Sequence, residues 1–261
     1  MAKRLSPVLI LLFILACAPA PQRHPTAYDA PMKIIWAWER PEDLRFLDPN
    51  EFGVAFLAQT VTLTRDEVRS APRRQPLFVP DGTYVIAVTR VETIKAPADR
   101  PLLTDNQIDE LVSLTLRTLE RPNVRSIQID FDAVVSERVF YRRFMESLRA
   151  RMPAEMPLTM TALASWCVGD RWLNEIPVHE AVPMVFEMGR DGERIRSFLA
   201  EGSDWNEPLC TASYGLSVDE RPVEGLRAGR RFYYFKDLPW VPDDLITSND
   251  LTRPPVFRTV P

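Results

Sequence analysis

Two carboxylates two positions apart carry the most chemical information in this chain. Asp130 and Asp132 close the run Val124-Arg125-Ser126-Ile127-Gln128-Ile129-Asp130-Phe131-Asp132, whose alternation reads as a β-strand. Along a strand, positions i and i+2 face the same side, roughly 6.6 Å apart. Two acids on one face repel each other and lose water as they are buried. Folds use such pairs where acid/base chemistry needs two separated pKa values. The pair could instead cap the helix that follows or hold a structural cation.

The elements that must position these acids are legible as eight strand-like runs, at 32–38, 52–63, 83–91, 124–132, 158–163, 181–187, 210–216 and 231–235. Helical periodicity separates several of them. One helix starts at Thr104-Asp105-Asn106-Gln107 and turns Ile108, Leu111 and Val112 inward; a second, at 136–152, turns Val139, Phe140, Phe144, Leu148 and Met152 inward. Nearly continuous apolar strands alternating with crossovers predict an α/β fold with a parallel sheet covered on both sides. Eight repeats in about 230 residues match the count and size of a (β/α)8 TIM-type barrel. No glycine-rich phosphate loop follows the first strand, which argues against an open, doubly wound sheet. The proline- and arginine-rich stretch 69–80 leaves little room for a helix, so some crossovers are expected to be degenerate.

In such a barrel, function collects at the C-terminal ends of the strands. Those ends offer Trp36, Trp38 and Glu39; Arg90 and Glu92; Gln128 with Asp130 and Asp132; Trp166; Glu187; Tyr214; and Tyr234. Aromatic faces beside carboxylates suit the apolar ring faces and polar rims of sugars, so carbohydrate is the expected partner. Core packing is the competing role for each tryptophan. No Ser-His-Asp set and no His/Cys metal spacing can be assembled, and neither metal nor cofactor is expected. The net charge is −4 and no basic stripe runs between aromatics, which argues against nucleic acid as a partner.

The first segment has leader anatomy: Lys3 and Arg4, an apolar run at 8–15, then Ala16-Cys17. The run is too short to span a bilayer as an ordinary helix. Ile14-Leu15-Ala16-Cys17 resembles the lipobox of bacterial lipoproteins. That resemblance implies a signal peptide at 1–16, lipidation of Cys17 and a membrane anchor. With Ala18 next, it implies the periplasmic face of the outer membrane within the cell envelope; a plain secretory leader is the alternative. Loss of Lys3 and Arg4 with the leader takes the charge from −4 to −6. Residues 17–31 read as a proline-rich tether that does not pack. Residues 32–261 read as a single barrel domain. Cys167 and Cys210 can pair in an oxidising compartment or persist as buried thiols.

The fourth strand resembles the signature of chitinase-like glycoside hydrolases, Asp-x-x-Asp-x-Asp-x-Glu, whose four positions fall on Arg125, Gln128, Asp130 and Asp132. Met184-Val185-Phe186-Glu187 is similar to that family's Met-x-Tyr-Asp on strand six. The whole chain, with its Gln-Ile-Asp-Phe-Asp and Ala-Ser-Trp-Cys stretches, resembles a bacterial lipoprotein family of unassigned function built on a glycosidase-type barrel. The resemblance implies Asp132 as general acid/base and Asp130 as the residue that orients a substrate acetamido group. A second mechanism pairs Asp132 or Asp130 with Glu187, as in two-carboxylate hydrolysis. Phe186 lacks the hydroxyl that would hold an acetamido oxygen. The expected function is that of an envelope-anchored glycoside hydrolase acting on a polysaccharide. The alternative is a non-catalytic barrel that binds a glycan or peptidoglycan.

Overall fold

The computed structural model describes residues 28–245; the expected leader at 1–16, the expected lipidation site Cys17 and the expected tether up to residue 27 lie outside the described residues. The eight apolar runs become the eight strands of a closed parallel barrel: β1 (Lys33–Ala37), β2 (Phe52–Thr64), β3 (Tyr84–Thr93), β4 (Val124–Asp130), β5 (Leu158–Leu163), β6 (Glu180–Met184), β7 (Ser213–Ser217) and β8 (Arg231–Phe235). Closure is explicit in the register. Ile34 of β1 pairs with Gly53 of β2 on one side and with Tyr233 of β8 on the other. Every barrel strand then has two neighbours and no edge is left unpaired.

Side-chain alternation splits the apolar residues into two cores. Ile34 and Trp36, Ala55, Tyr84, Ile86 and Val88, Val182, and Tyr233 and Phe235 fill the barrel interior. The opposite parity (Ile35, Val54, Phe56, Val85, Ile127, Ile129, Met160, Tyr234) packs outward against the helices. Among the described residues, four α-helices cover this outer face: α1 (Asp105–Arg117), α2 (Arg138–Arg151), α3 (Ala164–Gly169) and α4 (Gly192–Ala200). Helix α1 begins with a capping box, in which the Thr104 hydroxyl accepts the Gln107 N–H and the Gln107 side chain accepts the Thr104 N–H. On α2 the buried stripe is Phe140, Tyr141, Phe144, Met145 and Leu148. Val139, expected inside, is 71% exposed. It lies two positions from Tyr141, about 200° around the helix axis, and so faces water.

The degenerate crossovers fall on both sides of β2 and between β7 and β8, where no α-helix forms. After β2 the chain returns as an antiparallel strand, Glu67–Pro72, and a short parallel pair joins Glu42–Asp43 to Leu77–Phe78. The seventh strand starts later than its apolar run, because Pro208–Cys210 forms a 3-10 turn. That turn brings Cys210 to Cys167 on α3, and the two form a disulfide with Cα atoms 5.9 Å apart. The bond closes a loop with a sequence separation of 43. Replacing both cysteines with serine is expected to cost about 2–4 kcal/mol of unfolding free energy. An unchanged denaturation midpoint would remove the cross-link from the forces that hold the barrel.

The tether does not stay clear of the fold over its last residues, contrary to expectation. Tyr28 inserts into the lower, N-terminal end of the barrel, where its hydroxyl donates to Glu180 Oε1 at 2.6 Å and lies 3.1 Å from the Tyr233 hydroxyl. Tyr233 also donates to Glu180 Oε1 (2.7 Å), and Arg231 Nη1 donates to Glu180 Oε2 (2.8 Å). Arg231 further donates Nε–H to the Pro31 carbonyl at 2.9 Å, with its guanidinium 4.4 Å from the Tyr28 ring centre. A carboxylate only 1% exposed is thus saturated by donors, as burial of a charge requires. Residues 28–31 form the floor of the barrel.

Candidate active site

The register of β3 and β4 explains the core of the site. Arg90 and Asp130 are direct partners on adjacent strands, and Arg90 Nη1 donates to Asp130 Oδ2 at 2.6 Å. From β5, the Thr161 hydroxyl donates to Asp130 Oδ1 at 2.7 Å. Asp130 is 3% exposed, so both its oxygens are held by protein donors away from water. Asp132 lies just past the end of β4 and differs in kind. Its closest cation is Arg90 Nη2 at 4.0 Å, and 49% of its side-chain surface faces solvent. Neither aspartate caps the following helix: α2 starts after Glu137 with no side-chain cap, and Glu137 accepts the Val134 N–H within the 3-10 turn that precedes it.

Glu187 lies in the turn after β6 with φ +48°, a left-handed conformation that glutamate adopts at a cost. Its N–H donates to Glu220 Oε1 (2.7 Å), and Glu220 Oε2 is paired with Arg196 Nη2 (2.6 Å). The turn is therefore held from a separate loop and from α4. Between Asp132 and Glu187 lies a cleft of ≈ 360 Å³, with Asp130 and Arg90 at its base. Trp38, Phe186 and Phe235 form its aromatic wall, with the Phe186 and Phe235 rings 4.7 Å apart. Gly215 makes room for this wall: a Cβ there would sit 3.2 Å from the Phe235 ring.

Electrostatics separates the two aspartates. The walls of the cleft thin the water around Asp132, and this desolvation is the main cause that pushes its pKa up to about 6. The Asp130 and Glu187 charges push the same way, while Arg90 and Lys95 oppose them. The result is one carboxylate locked in an ion pair and a second that exchanges its proton near neutrality, in a solvent-reached cleft. Such an arrangement can deliver a proton to a bound leaving group. Among the described residues, no group of three or more His, Cys, Asp or Glu side chains is arranged to hold a metal.

Comparison of the chain with protein-family models, curated proteins and solved structures finds no match.

The structure brings Asp130, Asp132, Glu187, Trp38 and Arg90 together around one cleft and moves the other candidates elsewhere. Trp36 is fully buried inside the barrel, where its indole N–H donates to Gln128 Oε1 (3.0 Å) and supports Trp38 from beneath. Gln128, also fully buried, spends its amide on Trp36 and Thr159. Trp166 lies on α3, not at a strand end, and packs edge-on against Trp172 in the outer core. Tyr214 and Tyr234 have the outward parity of β7 and β8 and join the same outer core. Glu39 accepts the Arg74 and Gln75 N–H groups and braces the loop after β2, while Glu92 is an exposed partner of Arg90.

Three residues missing from the sequence-based candidates matter here: Thr161 on Asp130, Phe235 in the wall, and Glu220 behind Glu187. Parity could have found Phe235 and Thr161. Phe235 shares its face with Tyr233, and Thr161 shares its face with Leu163, another cleft residue. Nothing local marks Glu220, which reaches Glu187 from 33 positions away.

Proposed function

We propose that the protein is a glycoside hydrolase of the cell envelope, lipid-anchored at Cys17, with Asp132 as the general acid. The observation that carries this reading is the contrast within the aspartate pair: Asp130 is closed off by Arg90 and Thr161, while Asp132 is open to the cleft and holds its proton up to about pH 6. The wall of Trp38, Phe186 and Phe235 offers apolar faces for a sugar ring. Of the two mechanisms, hydrolysis by paired carboxylates with Glu187 fits better than attack by a substrate amide. Asp130 has both oxygens committed, and Phe186 offers no hydroxyl to an acetamido group. Asp130 is then a positioning residue that keeps a negative charge beside Asp132.

Incubation of the purified protein with a polysaccharide panel, read by release of reducing ends, tests the proposal. Release from at least one polymer is expected, and binding without cleavage would favour a glycan-binding barrel instead. The pH profile gives a second test. A general acid works in its protonated form, so kcat/KM is expected to fall as pH rises through about 6. Activity that is level across that range would exclude Asp132 as the proton donor.

A further inference from the structure

What the cleft can hold follows from the charges and hydrogen-bonding groups that line it. Its charged side chains are Asp130, Asp132, Glu187 and Asp191, against Arg90 as the one cation among the described residues of the lining. Arg90 is already committed, with Nη1 on Asp130 (2.6 Å) and Nε on Glu92 (3.2 Å). Lys95, the next cation to act on Asp132, is held by Glu137 at 2.8 Å. Asp191 shares its charge with Arg194 on α4 (3.0 Å), in a pair more than half exposed. The Glu187 carboxylate enters no ion pair among the described residues. The cleft is therefore negative on balance, and its open charge lies across from Asp132. We infer that the sugar bound between Asp132 and Glu187 carries a free, protonated amine, so that the substrate is a cationic glycan of glucosamine type and not a neutral or N-acetylated one. This inference rests on the glycoside hydrolase reading of the cleft and names a substrate class for it.

The balance of donors and acceptors points the same way. An acetamido oxygen needs a hydrogen-bond donor, whereas an ammonium brings three donors and needs acceptors. Phe186 has no hydroxyl to give, and Arg90 has spent donors on Asp130 and Glu92. Ionised carboxylates only accept, so an amide set among them leaves its own oxygen unpaired. The aromatic wall suits a cation as well, because ring faces carry the negative end of a quadrupole. Trp38 already serves Arg90 in this way, with the guanidinium carbon 6.0 Å from the ring centre. Phe186 and Phe235 keep water from that side of the cleft, which weakens screening between an ammonium and a carboxylate. The amine belongs beside Glu187, since Asp132 must keep its proton to act as the acid. A carboxylate neighbour in turn favours the charged form of the amine.

Oligomers of equal length that differ only at the C2 substituent test the inference. Glucosamine, N-acetylglucosamine and glucose chains, prepared from chitosan, chitin and cellulose, are compared for affinity by calorimetry and for cleavage. Glucosamine chains are expected to bind at least about tenfold more tightly than either neutral chain at low salt. That preference should shrink several-fold at about 1 M salt, where the Debye length is about 3 Å. In Glu187→Gln the ratio of glucosamine to glucose affinity is expected to fall towards one, and in Asp191→Asn by a smaller factor. Because the readout is a ratio within each variant, partial loss of folded protein cancels. A preference that survives Glu187→Gln unchanged would put the cation elsewhere on the acidic surface and overturn the inference. Equal or stronger binding or cleavage of the N-acetylated or glucose chain would also overturn it and leave the glycosidase reading standing. Failure of every oligomer to bind or be cleaved would overturn both.

Discussion

Asp132→Asn is expected to reduce hydrolysis by a factor of about 10²–10⁴, the usual contribution of a positioned general acid, while glycan affinity stays close to that of the wild type. The amide keeps the shape of the side chain and its place at the cleft but cannot donate a carboxylic proton. The same substitution should not lower stability. The folded-state pKa of Asp132 is pushed up to about 6 from an ordinary 3.8, so the folded chain holds this proton more tightly than the unfolded chain does. Between about pH 4 and 6 the folded state binds the extra proton, and stability from this group falls as pH rises through that window. Above it, the wild type bears the full cost of an ionised Asp132 beside Asp130, whereas the asparagine variant does not. Solvent reaches half of the side chain, so the difference will be small. Equal or higher Tm at neutral pH, with hydrolysis lost, is the expected pair of results. Undiminished turnover would remove Asp132 from the mechanism.

Glu180→Ala is expected to be the most damaging single substitution to stability, at about 3–5 kcal/mol. The carboxylate accepts from Arg231, Tyr233 and Tyr28, and removing it leaves the buried Arg231 charge without its counter-ion and at least one of the two hydroxyls without an acceptor. For a fold stabilised by about 5–15 kcal/mol, that is a fifth of the total or more. The double variant Glu180→Leu with Arg231→Met should recover part of the loss, because an apolar pair of similar volume often replaces a buried ion pair at little cost. Denaturant midpoints for the two variants measure both effects. A cost below about 1 kcal/mol for Glu180→Ala would mean that the network contributes little. Glu180→Gln keeps an acceptor without the charge and should lie between the two.

The fold was largely legible because a parallel barrel buries both faces of every strand, and nearly unbroken apolar runs such as 52–63 advertise it. The site was legible only in part. Asp130, Asp132, Arg90, Trp38 and Glu187 follow from strand position, since each lies at or just beyond a C-terminal end. The choice of aromatics failed for a different reason. Composition says that aromatics cluster near strand ends, but parity decides which enter the barrel. On β8 that is the difference between Phe235 in the cleft wall and Tyr234 in the outer core. Trp36 has the correct parity yet sits one layer too deep, covered by Trp38 and Phe235. The roles of Tyr28, Thr161 and Glu220 depend on contacts across 31 or more positions, which no local pattern encodes.

The floor formed by Tyr28 and its neighbours also sets a compass direction. The chain enters from below, at the N-terminal ends of the strands, while Asp132 and Glu187 open at the opposite pole. Any attachment made through residues before Tyr28 therefore pulls on the base of the barrel and not on the end where the cleft opens. The Glu180 network grips the point where the chain enters, so traction on the N-terminus would reach the barrel base before it reached the cleft at the opposite pole.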